Sequence, residues 1–234
     1  MKSIKNILIF VGGLGTRLGK ITKKIPKPLI KFNDTPFLDY QIKNLVKIKP
    51  KKIILLCGYK NNIFIKKYKN KKINKTKIIC HVEKKPLGTG GALQNAKKFI
   101  VNNSLVCNGD TFFNYDFENL KKSNTKFKYA LMILVKNKNY KSNKKLTNLE
   151  IENGKIIYNH SSEFMNSGFY IVNKQIIKHL KKGFNSFEDN VLKSLIIKKQ
   201  INGIKSINNL HIDIGTKKNL KLFQKLKKSN SDLS

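Results

Sequence analysis

Apolar runs and helical spacing alternate along the first half of the chain. Four short runs are apolar at almost every position and predict strands buried on both faces: residues 7–11, 53–57, 77–82 and 105–107. A shorter run predicts a fifth strand over residues 29–32. Between these runs, apolar residues at helical spacing predict helices over residues 36–48, 62–68 and 89–99. Strands that alternate with helices predict a parallel sheet covered on both faces.

After residue 127 the pattern becomes richer in strands. Strand-like runs lie at residues 128–135, 146–150, 155–158, 168–172, 201–206 and 210–214. Helical spacing returns at residues 187–198 and 217–227. Since neither a linker nor a repeat interrupts the pattern, we predict one α/β domain over residues 1–227, built on a mixed, mainly parallel central sheet. Residues 228–234 are predicted to form a polar C-terminal tail.

A glycine-rich loop follows the first predicted strand. Gly12, Gly13 and Gly15 end that strand, and glycine lets a backbone adopt positive φ and approach a ligand closely. Successive N–H groups of such a loop converge on anions, which favours a phosphate ligand. Arg17 adds a forked cation suited to phosphate oxygens, and it is the only arginine among 49 basic residues. The spacing matches neither a P-loop nor a dinucleotide-binding loop, so a tight turn without a ligand is the alternative.

A lysine and two aspartates stand at other predicted turns. Pro26 and Pro28 bracket Lys27, which predicts an extended backbone that fixes the direction of the amine. Asp110 follows one predicted strand and Asp213 lies at the end of another, and ligands of open α/β sheets lie beyond the carboxyl ends of the strands. Since Mg²⁺ is usually held by one or two carboxylates plus substrate phosphates, the pair predicts a magnesium site. An Asx-turn or a helix cap is the alternative for each aspartate.

The net charge of +36 is the unusual feature of the composition. A nucleic-acid or anionic-membrane binder is one explanation of such a charge. However, the lysines are scattered along the chain, with no basic block interleaved with aromatic residues. We therefore predict no nucleic-acid partner, and no membrane partner because no apolar run approaches the roughly 18 residues of a span. The three cysteines fit neither a disulfide framework nor a zinc pattern, which predicts free thiols and a cytoplasmic protein.

Six motifs together resemble the sugar-1-phosphate nucleotidyltransferase family. They are GGLGTRL at 12–18, PKPL at 26–29, EKKPLGTGGAL at 83–93, NGD at 108–110, NSGFY at 166–170 and DIGT at 213–216. The LGTGGA form and the SFE sequence at 186–188 are most similar to the branch that guanylylates D-glycero-D-manno-heptose 1-phosphate, followed by the mannose-1-phosphate guanylyltransferases. The resemblance implies a three-layer α/β/α Rossmann-like (GT-A-like) fold.

The resemblance also implies a reaction and a set of residue roles. A phosphate oxygen of the sugar 1-phosphate attacks the α-phosphorus of a nucleoside triphosphate, and pyrophosphate leaves. The implied residues are Arg17, Lys27 and Asp110 for catalysis; Gly12, Gly13, Gly15, Thr16, Glu83 and Gly88 for the nucleotide; Asn108, Gly109, Glu163 and Asn166 for the sugar; and Asp110 and Asp213 for Mg²⁺. The expected partners are the two substrates, and a homo-oligomer stays open.

Two features leave the substrates open. A carboxylate only accepts hydrogen bonds, so Glu83 suits the N–H edge of guanine, although an exposed surface glutamate is the alternative. The family often carries a Glu-Lys-Pro segment whose lysine contacts the sugar phosphate, whereas residues 159–165 contain no lysine. Ser161, Ser162, His160 or a lysine from elsewhere would have to replace it. Thymidylyl or uridylyl transfer to glucose 1-phosphate, uridylyl transfer to N-acetylmuramate 1-phosphate, and a nucleotide-sugar-binding protein without turnover are the alternative functions.

Overall fold

A ten-stranded mixed sheet runs through the computed structural model, which describes residues 3–117, 120, 125–136 and 146–229. In chain order the strands are β1 (Asn6–Phe10), β2 (Lys31–Phe32), β3 (Thr35–Pro36), β4 (Lys52–Cys57), β5 (Lys72–Ile73), β6 (Thr76–Val82), β7 (Ser104–Asn108), β8 (Thr111–Phe113), β9 (Ala130–Lys136), β10 (Leu149–Glu152), β11 (Lys155–Tyr158), β12 (Phe164–Val172), β13 (Asn202–Ser206) and β14 (His211–Asp213). The sheet order is β10-β11-β13-β9-β12-β7-β1-β4-β6-β5, and β2–β3 and β8–β14 form separate two-stranded ladders.

The direction of the strands places several loops at one edge of the sheet. Strands β7, β1, β4 and β6 are parallel neighbours, and Phe10 at the end of β1 lies opposite Asn108 at the end of β7. Strand β12 runs antiparallel between β7 and β9, and its register shifts between Asn166 and Tyr170. The predicted α/β fold with a mixed sheet is therefore confirmed, and the loops after β1, β6 and β7 share one edge.

Helices cover both faces of this sheet. They are α1 (Lys20–Lys24), α2 (Phe37–Val46), α3 (Asn61–Tyr68), α4 (Gly88–Asn95), α5 (Lys193–Ile197) and α6 (Lys217–Ser229). Along β1, Ile7 and Ile9 belong to the core shared with α2 and α3, whereas Leu8 belongs to the core shared with α4 and α5. Because successive side chains of a strand point to opposite faces, β1 is apolar throughout. None of the helices in the described ranges is long and apolar enough to cross a bilayer.

A third, aromatic cluster holds the last helix beside the small β8–β14 ladder. Phe223 of α6 is fully buried, with its ring centroid 4.8 Å from that of Phe32 and 4.9 Å from that of Phe37. Ile212 and Ile214, on either side of Asp213, belong to the same cluster. The cluster therefore fixes the strand that carries Asp213.

Four predicted boundaries are corrected by the structure. Lys27 begins a 3-10 turn at Lys27–Leu29 instead of lying in extended backbone, since proline near the start of a turn has a compatible φ and needs no N–H donor. The predicted helix over 89–99 ends at Asn95 and is followed by a 3-10 turn, and the one over 187–198 begins as a π-helical turn at Phe187–Leu192. The last helix reaches Ser229, past the predicted start of the tail at 228, because lysine favours helix; residues 230–234 lie outside the described residues.

Candidate active site

A pocket of about 340 Å³ opens at the carboxyl ends of β1, β4 and β6. It is lined by Phe10, Gly12, Gly13, Leu14, Gly15, Thr16, Leu56, Glu83, Pro86, Gly88, Thr89, Ala92 and Phe184. All six residues predicted to bind the nucleotide are among them, although they come from segments far apart in the sequence. Their role stays a prediction, but the fold brings them to one cavity.

The glycine loop after β1 is fixed by close backbone contacts. A Cβ on Gly12 would lie 2.7 Å from the N atom of Gly58, so only glycine lets the ends of β1 and β4 approach this closely. Gly15 has a φ of +67°, and its carbonyl accepts a hydrogen bond from the Thr22 hydroxyl at 3.0 Å. Within the described residues, the N–H groups of residues 13–15 donate to no protein acceptor. These N–H groups are therefore available to a ligand.

Lys27 and Asp110 form an ion pair beside this loop. The Lys27 Nζ atom lies 2.8 Å from Asp110 Oδ2, and the two side chains are 9% and 23% exposed. The Thr111 hydroxyl donates to the other carboxylate oxygen at 3.3 Å. Lys27 also packs against Gly15, since a Cβ on that glycine would lie 3.4 Å from the Lys27 Cβ. Two residues predicted to be catalytic thus meet at the inner end of the phosphate-type loop.

The second aspartate lies on the neighbouring strand. Asp213 in β14 pairs with Thr111 in β8, and the Ile214 N–H donates to the Asp110 carbonyl at 2.9 Å. The Asp213 carboxylate accepts a hydrogen bond from the Gly215 N–H at 2.5 Å, which is the Asx-turn expected as the structural alternative. The exposed Arg17 reaches the same place, because a Cβ on Gly215 would lie 3.1 Å from its Nη2 atom. Both aspartates and the arginine therefore surround one short stretch of backbone.

The carboxylates of Asp110 and Asp213 suit a magnesium ion whose remaining ligands are substrate phosphates and waters. Within the described ranges, no group of three or more His, Cys, Asp or Glu side chains is arranged to hold a metal by itself. Mg²⁺ requires only one or two protein carboxylates when phosphates and waters supply the other oxygens. Asp110, which immediately precedes β8, and Asp213 in β14 are the two carboxylates predicted for this role, and the role stays a prediction.

The predicted sugar residues lie in two different settings. Asn166 is buried in the bulge of β12, where its amide accepts from the Gly168 N–H at 2.8 Å and donates to the Tyr170 hydroxyl at 2.6 Å. Gly168 in turn packs on the Asn108 side chain, two residues before Asp110. A Cβ on Gly109 would lie 2.6 Å from the Phe10 carbonyl oxygen, so that glycine is required by the sheet itself.

Glu163 is placed apart from this buried group. Its side chain is 58% exposed and pairs with Lys136 Nζ at 2.6 Å. Lys136 ends β9 and lies opposite Phe164, so a lysine from another strand does reach the segment that lacks one. Sugar binding by Glu163 and by the three residues above stays a prediction.

Glu83 sits in a partly desolvated part of the pocket. Its backbone N–H donates to the Cys57 carbonyl at 3.0 Å, and its carboxylate lies directly over Gly58. Burial raises the pKa of Glu83, while a hydrogen bond from the Leu87 backbone N–H acts in the opposite direction. The carboxyl is therefore easier to protonate than an ordinary surface glutamate.

Comparison with known proteins identifies the family. The family model for "Nucleotidyl transferase" matches residues 6–226. The chain belongs to the nucleotidyl transferase family. D-glycero-alpha-D-manno-heptose 1-phosphate guanylyltransferase of Aneurinibacillus thermoaerophilus is 32% identical to this nucleotidyltransferase over 226 residues, covering 93% of the chain and 96% of that protein. The protein of the same name from Campylobacter jejuni is 45% identical over 124 residues, covering 53% of the chain and 56% of that protein.

The fold of this nucleotidyltransferase also matches solved structures. HddC from Yersinia pseudotuberculosis superposes with a TM-score of 0.80 at 28% identity, covering 96% of this chain and 100% of that one. The same protein complexed with GMP-PN gives a TM-score of 0.78 at 27% identity. The resemblance predicted from the sequence motifs is thus confirmed.

Sequence reasoning missed three groups of residues in this nucleotidyltransferase. Gln41 of α2 donates to the Asn108 carbonyl at 2.7 Å and so supports the turn to Asp110, but it looks like any polar residue of an amphipathic helix. Thr89 donates to Glu188 at 2.7 Å across the pocket wall. Phe184 lines the pocket from a turn whose sequence has no periodic pattern. Only the SFE sequence at 186–188 signalled that this region is special.

Proposed function

We propose that this nucleotidyltransferase joins a sugar 1-phosphate of the heptose or mannose type to GTP, producing a GDP-sugar and pyrophosphate. One observation carries the proposal: all six predicted nucleotide residues line one pocket, and the Lys27–Asp110 pair lies beside it. The guanylyltransferase names of the two relatives and the GMP-PN complex of HddC support the choice of guanine. The product is expected to supply the biosynthesis of a cell-surface polysaccharide.

The proposed reaction needs no protein nucleophile. A phosphate oxygen of the sugar 1-phosphate forms a bond to the α-phosphorus, and the bond from that phosphorus to the bridging oxygen of pyrophosphate breaks. Such a transfer depends on in-line positioning and on neutralising negative charge. The N–H groups of residues 13–15 bind the triphosphate, Arg17 adds charge at its outer side, and Lys27 stabilises charge that develops on the α-phosphate.

Asp110 and Asp213 would hold the magnesium ion that the donor set fits. Bound there, the ion would offset phosphate charge as a Lewis acid. Asp110 has a second task in this proposal, because its contact with Lys27 at 2.8 Å holds the amine at the inner end of the loop. The three free thiols support a reducing compartment such as the cytoplasm.

Pyrophosphate release tests the proposal directly. The purified chain is mixed with Mg²⁺, one nucleotide from GTP, dTTP, UTP, CTP or ATP, and one sugar 1-phosphate from a heptose, mannose, glucose or N-acetylmuramate series. We expect rapid release only with GTP and a heptose or mannose phosphate. Pyrophosphate release with dTTP or UTP but not with GTP would overturn the assignment of guanine. Tight GTP binding without pyrophosphate release from any pair of substrates would overturn the proposal that the protein catalyses this transfer.

Glu83→Gln is expected to weaken the binding of GTP and to favour a thymine or uracil nucleotide. The ratio of kcat/KM for GTP to that for dTTP should fall by about 10-fold or more. The ionised carboxylate accepts two N–H groups of guanine, whereas an amide presents one donor and one acceptor. Because burial raises the pKa of Glu83, GTP affinity of the unsubstituted chain should fall as the pH is lowered through that raised pKa, and this step should be absent in the variant. Equilibrium binding measured over a pH series checks both points.

Glu152→Gln is the matched control and should not change the base preference, since that side chain is exposed and pairs only loosely with Lys199 at 3.4 Å.

The effect of Glu83→Gln on stability has the opposite sign to its effect on GTP binding. A carboxyl whose folded pKa is raised stabilises the fold fully only below its unfolded pKa, and that contribution is lost as the pH rises through the folded value. The glutamine variant should therefore melt at a higher temperature than the parent at neutral pH. Unchanged base preference would contradict the role given to Glu83.

A further inference from the structure

The aromatic side chain of Phe184 is largely exposed to solvent. It is 79% exposed, and it lines the pocket that also contains the glycine loop and Glu83. Leu14, which is 60% exposed, lines the same pocket from the opposite end of the sequence. Single exposed apolar residues are common, but two of them around one cavity mark a place where a ligand with apolar surface binds.

The turn that carries Phe184 is fixed to the start of α4. The Asn185 N–H donates to the Leu87 carbonyl at 2.9 Å, and the Gly90 N–H donates to the Asn185 carbonyl at 2.9 Å. The Asn185 side chain closes the turn by donating to the carbonyls of Lys181 at 2.9 Å and Gly183 at 3.0 Å. Phe184 is therefore held in place by its neighbours on both sides.

Three glycines of α4 make this attachment possible. A Cβ on Gly88 or Gly90 would collide with Asn185, and one on Gly91 would collide with the Gly183 carbonyl. Because these three glycines have no side chains, the 183–185 turn packs directly against the backbone of α4. This packing fixes the backbone of residue 184 at the mouth of the pocket, so the turn does not have to be ordered when a ligand binds.

The remaining pocket chemistry defines the ligand part that meets this ring. Glu83 offers a carboxylate that accepts hydrogen bonds, and residues 13–15 offer N–H groups that suit phosphate. A molecule that satisfies both carries a phosphate chain and a flat group with N–H donors at its edge. The face of such a flat group is what an aromatic side chain stacks on.

We propose that Phe184 is a nucleobase-stacking residue whose ring covers one face of the base while Glu83 reads its edge. The proposal rests on the proposed use of a nucleoside triphosphate, and it adds a contact that raises nucleotide affinity, from a turn outside the six motifs. Stacking is tolerant of base identity, so Phe184 should raise the affinity for all nucleotides and leave the choice among them to Glu83.

Phe184→Trp gives a direct readout, because the chain contains no tryptophan. Guanine stacked on the indole should quench the emission of this single tryptophan when GTP is added. Inorganic tripolyphosphate, which lacks a base, should bind and leave the emission unchanged. Tyr158→Trp places a tryptophan at another exposed position, on β11, and should not respond to GTP. Calorimetric binding of GTP without any quenching in Phe184→Trp would overturn the proposal.

Phe184→Ala measures the contribution of the ring. We expect the Kd for GTP to rise about 10-fold and the Kd for tripolyphosphate to stay within 2-fold. Ile197→Ala, which removes another exposed apolar side chain, should change neither constant. An unchanged GTP affinity in Phe184→Ala, with a change in the sedimentation mass of the protein, would instead assign Phe184 to contact between copies and overturn stacking.

These measurements separate the two proposals because they need no turnover. Quenching by GTP without pyrophosphate release would leave stacking intact and refute the transferase. Pyrophosphate release by the parent, with the same GTP affinity in the parent and in Phe184→Ala, would support the transferase and refute stacking.

Discussion

Replacing Lys27 with methionine is expected to lower kcat by about 10²–10³-fold, because the ammonium group stabilises negative charge that grows on the α-phosphate only as the new bond forms. Methionine has nearly the same length and keeps the apolar contact with Gly15, so the loss is that of the charge. Nucleotide affinity should change much less than kcat, since the N–H groups of residues 13–15 remain. Steady-state pyrophosphate release and calorimetric GTP binding, measured on the same preparation, check the two expectations.

The ion pair allows stability and catalysis to be separated. Lys27 is 9% exposed at its side chain, so Asp110→Asn removes the carboxylate that the poorly solvated ammonium group contacts and should cost about 3 kcal/mol in the free energy of unfolding. The double variant removes both charges and should recover most of that stability while staying inactive. Lys67→Met is the control, since the Lys67–Asp39 pair at 3.2 Å is more exposed. Near-normal turnover in either single variant would refute the assignment of both residues.

Removing divalent metal is expected to abolish turnover, and Asp213→Asn should raise the Mg²⁺ concentration needed for half-maximal activity by about 10-fold or more. Asparagine keeps the oxygen that accepts the Gly215 N–H, so the Asx-turn at 2.5 Å survives and only the negative charge is lost. Activity measured against Mg²⁺ concentration, after treatment with a chelator, gives both results.

A matched control for this series is Asp34→Asn, which alters an exposed aspartate elsewhere on the chain. Its Mg²⁺ dependence should equal that of the parent. Full turnover in the presence of excess chelator, or an unchanged Mg²⁺ dependence in Asp213→Asn, would show that the aspartate pair does not hold the metal.

The central strands were predictable because their surroundings demand one kind of residue. A strand packed between two helical layers is apolar at successive positions, and β1, β4 and β7 have that pattern. The short local turns were harder. Lys27 reads as extended from its flanking prolines, yet the chain bends there because the Leu29 N–H bonds back to the Pro26 carbonyl at 2.8 Å.

The site was predictable where the chemistry is carried by motifs and hidden where it depends on distant packing. Asp110 follows one predicted strand and Asp213 ends another, but only the pairing of β14 with β8 shows that their backbones are adjacent. Gly88 was predicted for the nucleotide, and Gly90 and Gly91 for the start of a helix, whereas the contacts show that all three also receive the remote 183–185 turn. Nothing local to residues 181–185 reveals that partner, so Phe184 carried no signal in the sequence.

The aromatic cluster around Phe223 has a consequence for how distant damage reaches the chemistry. Asp110 immediately precedes β8, and Phe112 of that strand packs with Ile212, Ile214 and Phe223 in the third core. Asp213 lies between Ile212 and Ile214, so the ladder that carries both carboxylates rests on this one core. A void opened beneath the last helix is therefore expected to shift both carboxylates relative to the glycine loop and to lower activity without altering a single polar group of the pocket.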